Sequence, residues 1–308
     1  MKYVLLIASI LISSLASGQS FTFLSPDQAY SSDHASTVGN ACGDRISINY
    51  RNAFGGAFSN WTGLEVNYDR PFQLKNGDQI GVGLSFNRSN QFVSNQNHGK
   101  TMVSYRKSLK TKEGQTEQIV AGIAYQVNQI AYNEDLRWPS QIGPNGFDPT
   151  ISPTEQLDFL YSTVDVSLGY SLVVSKNQFA HFAATIKSIN RPEVSFFSAM
   201  PSYVEPSLFF AAYGSTALTD RIYLQPQLQI IRQQDFTHYR VASNFKIEIG
   251  QKKNGIIAGV GYNQQKFFSI MLGGEIQQFS VLANYDLLGS STITEESLSL
   301  QLAYRFCK

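Results

Sequence analysis

Ser297-Leu298-Ser299-Leu300-Gln301-Leu302-Ala303-Tyr304-Arg305-Phe306-Cys307 closes the chain just before its terminal lysine. Leu298, Leu300, Leu302, Tyr304 and Phe306 fall at every second position, with polar or small residues between most of them. Side chains two apart share one face of a strand, so this stretch has one greasy face. About ten such residues ending on an aromatic have the form of the last strand of an outer-membrane barrel.

Working back towards the N-terminus, the same period recurs in about fourteen segments, each bounded by Gly, Asn, Asp, Lys or Ser. Ile46, Ile48 and Tyr50 form one such set, Ile80, Val82, Leu84 and Phe86 another, and Val164, Val166, Leu168 and Tyr170 a third. No segment carries a sustained helical period with caps at both ends. The expected fold is therefore all-β, a single transmembrane antiparallel β-barrel of about 14 strands. Closing the sheet on itself leaves no long exposed edge. Pro226 falls inside one strand pattern, where it removes a ladder donor.

The connections supply a second line of argument. Those after even-numbered strands, such as 175–178, 217–220, 251–255 and 277–278, read as short, whereas 89–99, 129–158, 191–205 and 288–296 read as longer. The segments 70–79 and 107–117 read as long exceptions on the short side. Short periplasmic turns and long outer loops are the habit of bacterial barrels, which places the start of the barrel at the periplasmic rim. Tyr50, Tyr68, Tyr105, Tyr125, Tyr262, Tyr285 and Tyr304 stand at or near strand ends, where an amphipathic ring suits the membrane interface.

Met1-Lys2, the apolar run Tyr3 to Leu15 and the small exit Ala16-Ser17-Gly18 read as a secretory signal peptide over 1–18, with Gln19 starting the mature chain. Residues 19–43 then form a periplasmic or lumenal N-terminal segment and 44–308 the barrel. No later run approaches the roughly 20 apolar residues of a spanning helix. The composition is 43% hydrophobic and 15% charged, against the roughly 25% charged of an ordinary soluble domain, which suits a lipid-facing surface. A formal net charge of +1 gives no footprint for nucleic acid.

Chemistry-bearing motifs are absent. His34, His98, His181 and His238 have no metal-ligand spacing and read as surface or loop residues. No nucleophile elbow, phosphate-binding glycine loop or zincin helix occurs, so neither an enzyme, a metal nor a cofactor is expected. His181 with Asp165 is the one pairing imaginable for a hydrolase, and it reads equally as a lumen-facing polar pair. Cys42 precedes the first strand and Cys307 ends the last, so barrel closure brings them to neighbouring strands at one rim, a candidate disulfide in an oxidising compartment. Trp138-Pro139 and Phe196-Phe197 lie in the longest outer loops and are candidate partner contacts, or else fold inward as a plug. Lys75, Lys107, Lys110, Lys112, Lys176, Lys252 and Lys253 cluster at the opposite turns, where they would solvate the rim or dock an acidic partner.

Three stretches together resemble the PorP/SprF family of outer-membrane proteins of the type IX secretion system. They are Arg45-Ile46-Ser47-Ile48-Asn49-Tyr50-Arg51-Asn52 with Val66-Asn67-Tyr68-Asp69-Arg70-Pro71, then Asp165 to Tyr170 with Ile189-Asn190-Arg191-Pro192, and finally Ala283-Asn284-Tyr285-Asp286 with 296–306. Where the family usually has Asn-Pro-Ala before the first strand, this chain has Asp33-His34-Ala35-Ser36. The resemblance implies a non-enzymatic protein of the bacterial outer membrane, bathed in outer-membrane lipid, that serves secretion and gliding. It implies two kinds of partner: a periplasmic lipoprotein ring or peptidoglycan-linked component, and a secreted adhesin or other cargo. A passive porin or small-solute channel is the alternative reading, and a soluble β-sandwich a more remote one.

Overall fold

The computed structural model describes residues 33–307 except 55–60, 92–93, 110–114, 133–141, 144–145, 148–156, 176–177, 196–201, 235, 251–253, 265–266 and 289–295. Sixteen strands are assigned among the described residues. They are β1 Asp44–Phe54, β2 Trp61–Gln73, β3 Gln79–Asn90, β4 Ser94–Leu109, β5 Thr116–Tyr132, β6 Ile142–Gly143, β7 Gly146–Phe147 and β8 Asp158–Ser175. The rest are β9 Gln178–Lys187, β10 Ser207–Ala217, β11 Ile222–Gln233, β12 Phe236–Ile249, β13 Asn254–Asn263, β14 Phe267–Ile276, β15 Phe279–Leu288 and β16 Glu296–Phe306. Fourteen close into one antiparallel barrel, each pairing with its neighbour in the chain. β6 and β7 form a separate two-stranded hairpin inside the loop between β5 and β8. The expected strand number and topology hold.

Closure is made by the stretch that opened the sequence reading. β16 pairs with β1 in continuous register from Asp44↔Phe306 to Phe54↔Glu296. Its Leu298, Leu300, Tyr304 and Phe306 face outward and exposed, while Ser297, Gln301 and Ala303 face inward and are buried. The alternation repeats around the ring, and every barrel strand carries at least one exposed large hydrophobic residue, from Ile46 and Ile48 on β1 to Leu272 on β14. A water-facing surface rarely tolerates an apolar patch above a few hundred Å². A continuous apolar band around the whole circumference belongs in lipid. Tyr68, Tyr105 and Tyr285 each turn a hydroxyl onto a carboxylate, of Asp44, Asp78 and Glu296 respectively.

Several connections are shorter than the sequence implies, because polar residues at strand tips still join the ladder. Residues 94–99 are the first turn-side part of β4, not loop, and β3 and β4 are separated only by 91–93. The long turns expected at 70–79 and 107–117 shrink to 74–78 and 110–115. The two long outer connections, 133–157 and 188–206, remain. Pro226 sits within β11 opposite Ser243 of β12. On its other side the β10–β11 pairing skips from Tyr213↔Gln227 to Thr216↔Leu224, as a residue with no N–H requires.

Candidate functional site in the barrel lumen

The inward positions of the strands are polar almost throughout. Ser47 and Asn49 on β1, Glu65, Asn67 and Asp69 on β2, Ser104 and Arg106 on β4, and Thr163, Asp165 and Ser167 on β8 are all buried. Burying polar groups is costly unless they bond one another, and here they do. Asn49 and Asn67 both donate to Glu65, at 3.0 and 2.5 Å.

The acidic residue in each of the three stretches quoted above is one of these lumenal anchors. Asp69 accepts from Arg45 Nε at 2.6 Å, Asp165 from Lys100 Nζ at 2.8 Å and Asp286 from Arg51 Nη2 at 2.9 Å. Asp165 also accepts from the backbone N–H of Ser188 at 3.0 Å, and Asp286 from Ser269 and Ser297 hydroxyls at 2.6 and 2.7 Å. Each carboxylate thus ties together residues from different strands. Because a buried charge is tolerated only with partners, these sites fix both residue types at once.

The chain ahead of β1 lies against this polar face. Residues 34–39 are buried, with a single 3-10 turn at Ala35–Thr37. Asp33 meets Lys187 Nζ at 2.6 Å near the outer end of β9. His34 Nδ1 lies 2.7 Å from Thr185 Oγ1, and the Ser36 N–H donates to Ser167 Oγ at 2.6 Å. Ser104 Oγ donates to the Val38 carbonyl at 2.9 Å, while the Gly39 N–H donates to Asp69 at 2.8 Å. Arg106 Nη1 donates to Asn40 Oδ1 at 3.0 Å. The segment therefore runs from mid-lumen down to the rim that carries Cys42. Ala35 and Val38 give it an apolar contact, packing with Met102 and Ala124.

Glycines clear the room. A Cβ on Gly122 would stand 2.6 Å from Ala35 C and Ser36 N, and one on Gly81 would collide with the Val38 carbonyl. Gly39 has φ +72° and lies against Gly81, so it meets both a conformational and a steric demand for glycine.

Above the segment, in the outer half of the barrel, lies a cavity of about 440 Å³. Lys100, Lys187, Asp33 and Asp165 form its ionic floor, amide and hydroxyl side chains its walls, and Tyr161 an aromatic face. A second hollow of about 400 Å³ lies on the lipid side, where Ala184 and Ala212 sit low between Phe182, Phe210, Leu168 and Leu228.

Three histidines differ from the expectation of surface or loop positions. His34 and His181 are among the most buried side chains, at 0% and 1% exposed, and His98 lines the cavity, while His238 is a half-buried residue on β12 near its start. Polar-lumen strands carry the same alternation as soluble ones, so the direction a histidine faces was not readable from its neighbours alone. His181 Nδ1 lies 2.5 Å from Ser171 Oγ, and Asp165 is engaged by Lys100, so the two do not form a catalytic pair. Among the described residues no group of His, Cys, Asp and Glu is placed to hold a metal ion. Cys42 and Cys307 stand with Cα atoms 5.3 Å apart, sulfur against sulfur, at the seam between β1 and β16. Trp138, Pro139, Phe196 and Phe197 lie outside the described residues, as do 1–18 and the lysines at 110, 112, 176, 252 and 253.

The model of a family described as type IX secretion system membrane protein PorP/SprF matches residues 36–306. No curated protein matches the chain in sequence. Solved barrels share its fold at low identity. The toluene transporter TbuX of Ralstonia pickettii is 9% identical over 90% of this chain and 93% of its own, with a TM-score of 0.52. A deletion mutant of the TodX monoaromatic hydrocarbon channel is 8% identical over 91% and 94%, with a TM-score of 0.55. A FadL homologue of Pseudomonas aeruginosa is 10% identical over 85% and 90%, with a TM-score of 0.51.

Proposed function

The chain belongs to the PorP/SprF family of type IX secretion system membrane proteins, and from that premise we propose that it is a non-enzymatic anchor in the outer membrane. Its outer side holds a secreted adhesin or other surface cargo. Its periplasmic rim docks to the lipoprotein ring or to a peptidoglycan-linked component of the secretion and gliding machinery.

One observation favours an anchor over a passive channel. The chain's own segment 33–40 occupies the lumen, pinned by Asp69, Ser104, Ser167 and Thr185 on four strands. A solute pathway needs an unobstructed aqueous lumen. Here part of that space is taken by the chain's own segment, and the ladders around it are closed on every side.

Affinity purification from native membranes under gentle detergent, with mass spectrometry, tests the reading. Recovery of a type IX periplasmic lipoprotein together with one exported surface protein is expected. Recovery of neither, with ohmic conductance of the purified barrel in planar bilayers, would replace the anchor with the porin reading.

A further inference from the structure

The outer-half cavity has a chemistry of its own. Its cations and most of its anions are already matched: Lys100 with Asp165 at 2.8 Å and Lys187 with Asp33 at 2.6 Å. Glu65 is held by the amides of Asn49 and Asn67. A charged solute would have to break one of these pairs in a confined space, at the cost of leaving a buried charge alone.

What the walls offer is neutral. Ser85, Asn87, Gln96, Gln126, Asn128 and Thr163 present side chains that both donate and accept hydrogen bonds. Asn87 Oδ1 is buried with no hydrogen-bond partner, an acceptor that lacks a donor in the empty cavity. Tyr161 adds an aromatic face, and the His98 ring is fixed by Asn128 at 2.6 Å. The volume lies within the range of about 300–1,000 Å³ typical of small-molecule sites. Asp33, at the start of segment 33–40, lies on the floor beside Lys187.

Vicinal hydroxyls are the groups that donate and accept side by side, and the apolar face of a pyranose ring stacks on an aromatic. An extended peptide would also pair with amides, but its side chains need apolar subsites, and among the described lining residues Ile130 and Val204 are the aliphatic side chains beside the Tyr161 ring. We infer that the cavity is a binding site for a neutral saccharide of about two sugar units, recognised by the amide wall around Asn87 and Gln126 and by the ring of Tyr161.

The test uses the purified full-length barrel in detergent, titrated calorimetrically with cellobiose, maltose and N,N′-diacetylchitobiose. Anionic lactobionate, the cationic deacetylated chitobiose and triglycine serve as comparators. Saturable binding of at least one neutral disaccharide at one site per barrel is expected, with each comparator at least tenfold weaker. Asn87→Leu and Gln126→Leu, each checked for folding by heat-modifiable migration, should each weaken that binding at least tenfold. No saturable neutral ligand, a charged comparator or triglycine bound as tightly, or affinity unchanged in whichever variant folds, would overturn the assignment.

Discussion

At the scale of single residues, the lumen is organised by a few carboxylates that do two jobs each. Asp69 neutralises Arg45 and accepts the Gly39 N–H, so it joins strand β2 to β1 and both to the N-terminal segment. Asp69→Asn keeps a hydrogen-bond acceptor but removes the charge opposite Arg45. A loss of about 3 kcal/mol is expected, read as a lower urea midpoint for the folded barrel, since breaking one half of a buried pair is far costlier than deleting both. His34 makes a second residue-scale prediction. Burial pushes its imidazole down to about 4, with Asp33 acting upward and Lys187 and Lys100 further downward. The undocked segment takes up a proton first as pH falls below about 6.5, where a free imidazole titrates. Docking is therefore strongest above pH 6.5 and weakens progressively as pH falls to 4, by up to about 3 kcal/mol. Cysteine labelling of a Ser36→Cys variant should accelerate across that window, and the additional change His34→Gln should flatten the response. The acidic anchors were visible in the sequence as parts of recurring Tyr-Asp and Asp-to-Tyr stretches. Their partners were not, because Lys100 and Arg51 meet them from other strands, across sequence separations no local pattern records.

At the scale of elements, alternation made the strands legible and nothing else. Each of the fourteen barrel strands shows its outward face in the order of its apolar residues, and Leu298 to Phe306 located the closing strand and its partner β1. Segment 33–40 carries no such order. It is short, mixed and irregular, and its place is set by contacts to β2, β3, β4, β5, β8 and β9, which exist only once the barrel has formed. Gly81 and Gly122 look like ordinary strand glycines in the sequence, yet they are the dents into which that segment fits. Gly122→Val should therefore displace it while leaving the strand, and even improve β propensity there. The expected result is a folded, heat-modifiable barrel that conducts in planar bilayers where the parent is silent; a silent variant would show that the segment is not what blocks the lumen.

At the scale of the whole molecule, one exchange of solvent explains the architecture: apolar residues face out and polar residues face in, the reverse of a water-soluble sheet protein. That inversion was readable from composition, since 15% charged residues are too few to cover a surface of this size in water. The seam is where the whole molecule is most exposed to failure, because β1 and β16 are the two strands farthest apart in the chain. We propose that Cys42 and Cys307, separated by 265 residues and standing sulfur against sulfur, staple it. Replacing both with serine should lower stability by about 2–4 kcal/mol, seen as a lower temperature for loss of the compact electrophoretic form. Peptide maps of the exported protein should show the linked pair without reductant.

The staple also acts as a timestamp. Closure of the last strand beside the first is what holds Cys307 at bonding distance from Cys42, so a barrel arrested at any earlier stage would form the bond far more slowly. The ratio of linked to reduced protein in a cell is thereby a census of finished against unfinished insertion. It is written into each molecule at the moment its wall is completed and can be read afterwards without isolating the intermediate.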